Sequence, residues 1–228
     1  MKRYILLSVI AIALALMSCS RHGKYESNGE IVRYTYWTFS FGTLYDTLPG
    51  ADAKTFKSVN EWLGHDARRV YFKNHPVDGV DVATVKADHF PLFHDKNDYY
   101  YKTTPMRVAD MSTFKVVKRL DDSFWARDSQ YAYFDTTKIA GVDLPTFKVK
   151  SEAHAVDKNN VYRFGELLKD ADPATYDENW KGFYSRDKSH IWYMGDLIED
   201  ADYATFVVDD DMEAHDCHGA FHASKRVN

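Results

Sequence analysis

The chain is poor in the residues that small folds use as staples. It holds two cysteines, Cys19 and Cys217, in 228 residues, too few for a disulfide-dense scaffold or an all-cysteine zinc site. Eleven glycines and six prolines exclude collagen-like and low-complexity architectures. Positive charge is not in excess, since 29 Lys and Arg face 34 Asp and Glu for a net charge of -5. No basic footprint therefore steers the chain onto nucleic acid. Gly-rich phosphate loops, Cys-x-x-Cys pairs, His-Glu-x-x-His helices and nucleophile elbows are also missing from the sequence. These are the patterns that most readily announce a catalytic or cofactor site, and none of the residues calls for a cofactor.

Long apolar runs are lacking too. The longest, Ile5 to Met17 with Ser8 inside it, has 13 residues, which falls short of a span through a ~30 Å hydrocarbon core. Lys2 and Arg3 precede it and Leu16-Met17-Ser18-Cys19 close it. A basic start, a short apolar core and a small residue at the end form an export signal. The closing tetrapeptide resembles the lipobox of bacterial lipoproteins, which implies a signal peptide over 1–18, cleavage before Cys19 and acylation of Cys19. Several acyl chains would anchor the protein durably to a membrane of the cell envelope, with residues 19–30 as a polar tether and one domain over 31–228. With Cys19 acylated, Cys217 has no disulfide partner, and the fold stands on packing alone.

Aromatic residues are abundant, with 16 Tyr, 14 Phe and 5 Trp, and many of them recur at a fixed spacing. Taking Asp66, Asp95, Asp128, Asp157 and Asp187 as origins, successive copies lie 29, 33, 29 and 30 residues apart. Five residues on are Tyr71, Tyr100, Tyr133, Tyr162 and Trp192. At plus fifteen an aspartate returns in every copy, as Asp81, Asp110, Asp143, Asp172 and Asp202, and at plus eighteen a threonine, as Thr84, Thr113, Thr146, Thr175 and Thr205. An aromatic or valine follows at plus nineteen: Val85, Phe114, Phe147, Tyr176 and Phe206. Asp52, Thr55 and Phe56 form a degenerate leading half copy, and Asp216 with Phe221 a closing one. Atypical terminal copies are what a stacked array requires where its ends meet solvent.

The runs Asp95-Lys96-Asn97-Asp98-Tyr99-Tyr100 and Asp157-Lys158-Asn159-Asn160-Val161-Tyr162 resemble the DKNYY family. The likeness extends over roughly residues 38–222. It implies an exported bacterial repeat protein, often a lipoprotein, and supplies no activity and no catalytic residues.

Local chemistry predicts the shape of one unit. Asp-Lys-Asn-Asn is turn chemistry, because Asp and Asn bond their own backbone and tolerate left-handed geometry. The flanking Val, Ile, Tyr, Phe and Trp segments read as a hairpin, and Gly165 and Gly195 mark a second turn. Asp172-Pro173-Ala174-Thr175 reads as an N-capped single turn of helix or 3₁₀, and the plus-nineteen residue opens a further short strand. The expected fold is mainly β: tandem repeats of about thirty residues with short helical turns, stacked as an open solenoid or meander. A closed propeller-like ring is the alternative.

The repeated carboxylates invite a calcium or catalytic reading, which the pattern does not sustain. An EF-hand register starting at Asp95 would need glycine and glutamate where Tyr100 and Met106 stand. A glycosidase pair needs two carboxylates in unlike environments, whereas these recur in every copy, so they read as turns and caps. His215, Cys217, His218 and His222 compose a metal-like cluster, with His218 and His222 on one face if the segment were helical. The repeat register instead places it in a hairpin, where alternate side chains part. His65 and His154 read as hairpin surface. Tyr34, Tyr36, Trp37, Phe39 and Phe41 alternate with Thr35, Thr38 and Ser40 and read as one aromatic strand face capping the first unit, or else a surface for sugars or a partner. The expectation for function is a lipid-anchored, non-catalytic envelope module that binds protein or polysaccharide. The alternative is an envelope enzyme acting on glycans or peptidoglycan.

Overall fold

The computed structural model describes residues 23–227; the expected signal peptide over 1–18 and Cys19 lie outside them. Every regular element among the described residues is a β-strand. Seven antiparallel sheets follow one another along the chain, the first of three strands and the other six of four, each with its strands in sequence order. The repeats do form a β-hairpin meander. The chain divides into two compact units, ending and starting between Met111 and Ser112. The first holds the three-stranded sheet and the sheets over 57–77 and 86–105, the second those over 115–138, 148–167, 177–197 and 207–227.

The sheet over 57–77 shows the logic. Lys57–Ser58, Leu63–His65, Val70–Phe72 and His75–Val77 pair edge to edge. In the two middle strands consecutive residues are buried on both faces, whereas Lys57 and Ser58 at the edge are exposed. A strand covered on both faces loses its alternation and reads as a short apolar run. Neighbouring sheets supply the cover. Trp125, Ala132 and Ile139 of one sheet bury themselves with Phe147, Ala155 and Tyr162 of the next. Val161 and Leu168 do so with Trp192, and Tyr184 and Ile191 with Phe206 and Phe221. In the first unit Trp62, Val70 and Phe72 meet Phe93 and Tyr100. Full burial of one such side chain contributes about 1.5–3 kcal/mol before entropy, and no single sheet can supply it alone. In the last sheet Glu213–Asp216 returns to strict alternation, the mark of one covered face.

The structure differs from the expected unit in three ways. The short strand after the plus-nineteen residue does not stay with its own hairpin; it opens the next sheet, as Lys148–Val149 does by pairing with His154–Val156. This strand pairing thus ties one copy to its successor. The helical turns are absent: Asp-x-x-Thr closes with a single amide bond to the carbonyl three residues back, as from Thr175 to Asp172 at 3.2 Å. The next residue must bury its ring and start a strand, so the helix never propagates. Finally, residues 23–27, expected to lie in a tether over 19–30, form a strand of the folded part, because Gly23–Ser27 pairs with Val32–Thr38.

The second hairpin turn has its own signature. The residue at plus seven takes left-handed φ in every copy: Lys73, Lys102, Asp135, Phe164, Met194 and Ala223, between 48° and 56°. Each sends its amide back across the hairpin, from Phe164 to Ala153 O at 2.7 Å for instance. Gly165 and Gly195 extend the left-handed stretch to two residues, the requirement of a primed hairpin turn. At Gly165 a Cβ would also meet Phe134 Cβ at 2.6 Å.

Candidate functional site

The aspartate that starts each copy is buried in all six places: Asp66, Asp95, Asp128, Asp157, Asp187 and Asp216. A buried carboxylate needs partners, and the repeat supplies them from two copies at once. In the copy at Asp157, one oxygen accepts from the amides of Asn159 at 2.7 Å and Asn160 at 2.8 Å. The other accepts from the amide of Asp143 and the hydroxyl of Tyr162, both at 2.8 Å. Asp143 is the plus-fifteen aspartate of the preceding copy. The same link runs from Asp52 to Asp66, Asp81 to Asp95, Asp172 to Asp187 and Asp202 to Asp216, at 2.5 to 2.9 Å.

The plus-fifteen carboxylate closes the other side of this clasp. It caps its own turn, Thr146 donating to Asp143 through both amide and hydroxyl. The threonine hydroxyl oxygen then accepts an amide from the next copy, that of Lys158 at 3.0 Å. Thr55, Thr84, Thr113, Thr175 and Thr205 receive Ala67, Lys96, Ser129, Lys188 and Cys217 in the same way. Where the copy begins Asp-Lys, the ammonium reaches the plus-fifteen carboxylate: Lys96 to Asp81, Lys158 to Asp143 and Lys188 to Asp172 at 2.6 to 2.7 Å.

Ionisation follows from these partners. Burial opposes charge on Asp66, Asp157 and Asp187, but the donated amides and neighbouring side chains outweigh it and hold all three below the ordinary carboxylate value. The partner Tyr100 is pushed up to about 12 by burial and by Asp95, so its hydroxyl remains a donor. Asp81, Asp143 and Asp172 are lowered chiefly by their lysines.

The clasp changes its last partner at the C-terminal end. Trp192 cannot offer a hydroxyl to Asp187, and its Nε1 is buried without a partner; His190 Nδ1 stands 3.4 Å from that carboxylate. Phe221 offers none to Asp216 either, and Arg226 replaces it with two bonds of 2.8 Å. That guanidinium holds Asp216 far below the usual carboxylate range.

A sequence model of the DKNYY family matches residues 36–163 and 125–183. The chain belongs to the DKNYY family. No curated protein and no solved structure matches it. The residues that give the DKNYY family its run are, in this chain, the clasp: Asp the buried acceptor, Lys the ion-pair partner, Asn the amide donor, Tyr the hydroxyl donor.

Three further places in this DKNYY chain carry chemistry. His154, read from sequence as surface, is buried because its strand is the second of a sheet covered on both faces. Its Nδ1 lies 2.7 Å from Glu178 and its Nε2 3.1 Å from the Tyr176 hydroxyl, while Ser151 Oγ donates to the same Glu178 at 2.7 Å. Burial lowers the basicity of His154 more than Glu178 restores it. Serine and carboxylate here occupy the same side of the imidazole. A triad needs them on opposite nitrogens, so Ser151 is not activated. Tyr176 is the plus-nineteen residue of its copy, but no repeat position names the other three; Ser151 comes from a bend, His154 opens the strand His154–Val156 and Glu178 comes from the next copy.

The aromatic hairpin splits between its faces. Tyr34 is buried with Val32, Leu48 and Tyr71, with Tyr36 packed against them. Trp37, Phe39, Phe41 and Tyr45 are 44%, 70%, 78% and 59% exposed. The aromatics were expected on a single face, but the odd and even positions of one strand point apart. Arg33 lies 4.5 Å over the Tyr45 ring on the outer face.

The C-terminal cluster also divides. His215 pairs with Asp209 and His222 with Glu213. Cys217 and His218 converge instead on Asp202, their ligand atoms all within 4.8 Å of one another.

Proposed function

We propose that this DKNYY protein is a lipid-anchored, non-catalytic module of the bacterial cell envelope whose outer aromatic face binds polysaccharide. The observation that carries the reading is the pairing of a committed interior with an uncommitted aromatic surface. The repeated carboxylates are spent as internal acceptors, which argues against a repeated catalytic or metal array. Trp37 and Tyr45 lie on the outer face of Val32–Thr38 and Gly42–Thr47, interleaved with Thr35, Thr43 and Arg33. Flat rings beside hydroxyl and guanidinium donors suit the apolar faces and equatorial hydroxyls of sugars.

Position supports the same reading. The described chain starts at Gly23, opposite Tyr36. Four Cα-to-Cα steps separate it from Cys19, a reach of at most ~14 Å, so an acylated Cys19 would hold this face beside the membrane. The test has two parts. Mass spectrometry of protein extracted from membranes should find acyl chains on Cys19, and Cys19→Ala should release the protein. Purified cell-wall polysaccharide should retain the protein, and the double variant Trp37→Ala, Tyr45→Ala should lose retention while keeping its Tm. Equal retention of that variant sinks the surface assignment.

The enzyme reading is favoured by one observation, the polar cluster of His154, Glu178, Tyr176 and Ser151. It requires that His154→Gln abolish release of sugar or peptide fragments from cell walls by the wild type. No fragment release by the wild type ends it.

A further inference from the structure

We propose that Asp202, Cys217 and His218 form a zinc site, with the metal standing where other copies of the repeat place a lysine ammonium. The register carries the argument. In three clasps the residue after the buried aspartate is lysine, and its Nζ reaches the plus-fifteen carboxylate of the preceding copy at 2.6 to 2.7 Å. In the last clasp that residue is Cys217 and that carboxylate is Asp202. The cation partner is thus replaced by a thiol, and His218 Nε2 comes to 3.8 Å from the same Asp202 oxygen.

Backbone bonds hold all three ligand residues in place, and the Cys217 side chain already meets the Asp202 carboxylate. The amide of Asp202 donates to Asp216 at 2.8 Å, that of Cys217 to Thr205 Oγ1 at 3.1 Å and that of His218 to Asp216 at 2.8 Å. Asp202 uses one carboxylate oxygen on Thr205 and turns the other toward the imidazole. Asp216 cannot compete as a ligand, because Arg226 occupies both its oxygens. A tetrahedral zinc centre places neighbouring ligand atoms about 3.3–3.6 Å apart, and these atoms lie within 4.8 Å of one another. Small side-chain rotations close that gap.

Ligand chemistry chooses the metal. A thiolate and an imidazole beside one carboxylate suit zinc, whereas calcium and magnesium demand oxygen ligands throughout. Three protein ligands leave one position for water or for an outside donor. Binding would release the thiol proton and leave Cys217, the exposed free cysteine, protected as a metal thiolate. His215 and His222, each paired with its own carboxylate, are not ligands.

The experiment titrates zinc chloride into the detergent-solubilised full chain carrying Cys19→Ser, so that Cys217 is the single thiol. Cobalt is then substituted as a spectroscopic probe. One zinc per chain is expected, with a thiolate-to-cobalt charge-transfer band. Cys217→Ser and His218→Ala should each weaken binding by about tenfold or more, and the double variant His215→Ala, His222→Ala should bind as the parent does. The clasp uses the backbones of Cys217 and His218, so both variants keep the fold, which an unchanged Tm without metal verifies. Absence of saturable zinc binding, a cobalt complex without the thiolate band, or binding lost in the His215, His222 variant and kept in Cys217→Ser would each overturn the site.

Discussion

Asp157→Asn isolates the buried carboxylate of one clasp with no change in size. The native side chain accepts from Asn159, Asn160, Asp143 and Tyr162. An amide in its place can offer its oxygen to the two turn amides, but its NH2 then faces the Asp143 amide, a donor against a donor. The Tyr162 hydroxyl can rotate to accept; the Asp143 amide cannot. Leaving one buried amide unpaired costs about 1–3 kcal/mol, and the loss of charge weakens the surviving bonds, each about 1.5–3 kcal/mol when charge-assisted. The sum is about 3 kcal/mol, a large part of an ordinary domain's stability. Tyr162→Phe removes one donor and leaves three, which should cost about 1–2 kcal/mol. Urea titration followed by tryptophan fluorescence measures both. Because the folded-state value of Asp157 is lowered, its stabilisation is present above the ordinary carboxylate range and disappears as pH falls through the folded value. The parent should therefore lose stability between about pH 5 and pH 2, and Asp157→Asn should show a shallower slope there. A cost under about 1 kcal/mol with an unchanged acid slope would refute the claim that this carboxylate joins two copies.

Other predictions use the same geometry. Thr146→Val cuts the bonds to Lys158 N and Asp143 and should cost about 1–2 kcal/mol in urea, where a merely exposed threonine would cost nothing. Lys158→Met removes an exposed ion pair; its small effect on Tm should vanish at high salt. Arg226→Ala should lower Tm by stripping Asp216 of its guanidinium, and adding Phe221→Tyr should recover part of the loss by supplying the hydroxyl other copies use. Ala223→Gly relieves a left-handed residue and should raise stability by up to about 1 kcal/mol, measured by thermal melting. Gly23→Ala should do the reverse, because a Cβ there runs into the Tyr34 hydroxyl.

The sequence by itself determined the period, the all-β character and the residues that recur, because stacked copies must present alike side chains at each interface. Asp157, Tyr162, Asp143 and Thr146 were all legible as one pattern. What they do to one another was not. That Asp143 donates its amide to Asp157 depends on the last strand of one copy opening the next sheet, a pairing between residues of different copies that no local propensity encodes. The same holds for sites built outside the repeat. His154 meets Glu178 across a sheet interface, and Asp202 meets Cys217 and His218 across a clasp, while His215 and His222, near them in sequence, pair with Asp209 and Glu213 instead. Likewise the aromatic strand looked like one face until pleating sent Tyr34 inward and Trp37 out. Periodicity reports which positions share an environment; only tertiary pairing decides what that environment contains, because its hydrogen bonds come from the neighbouring copy, 12 to 15 residues along the chain.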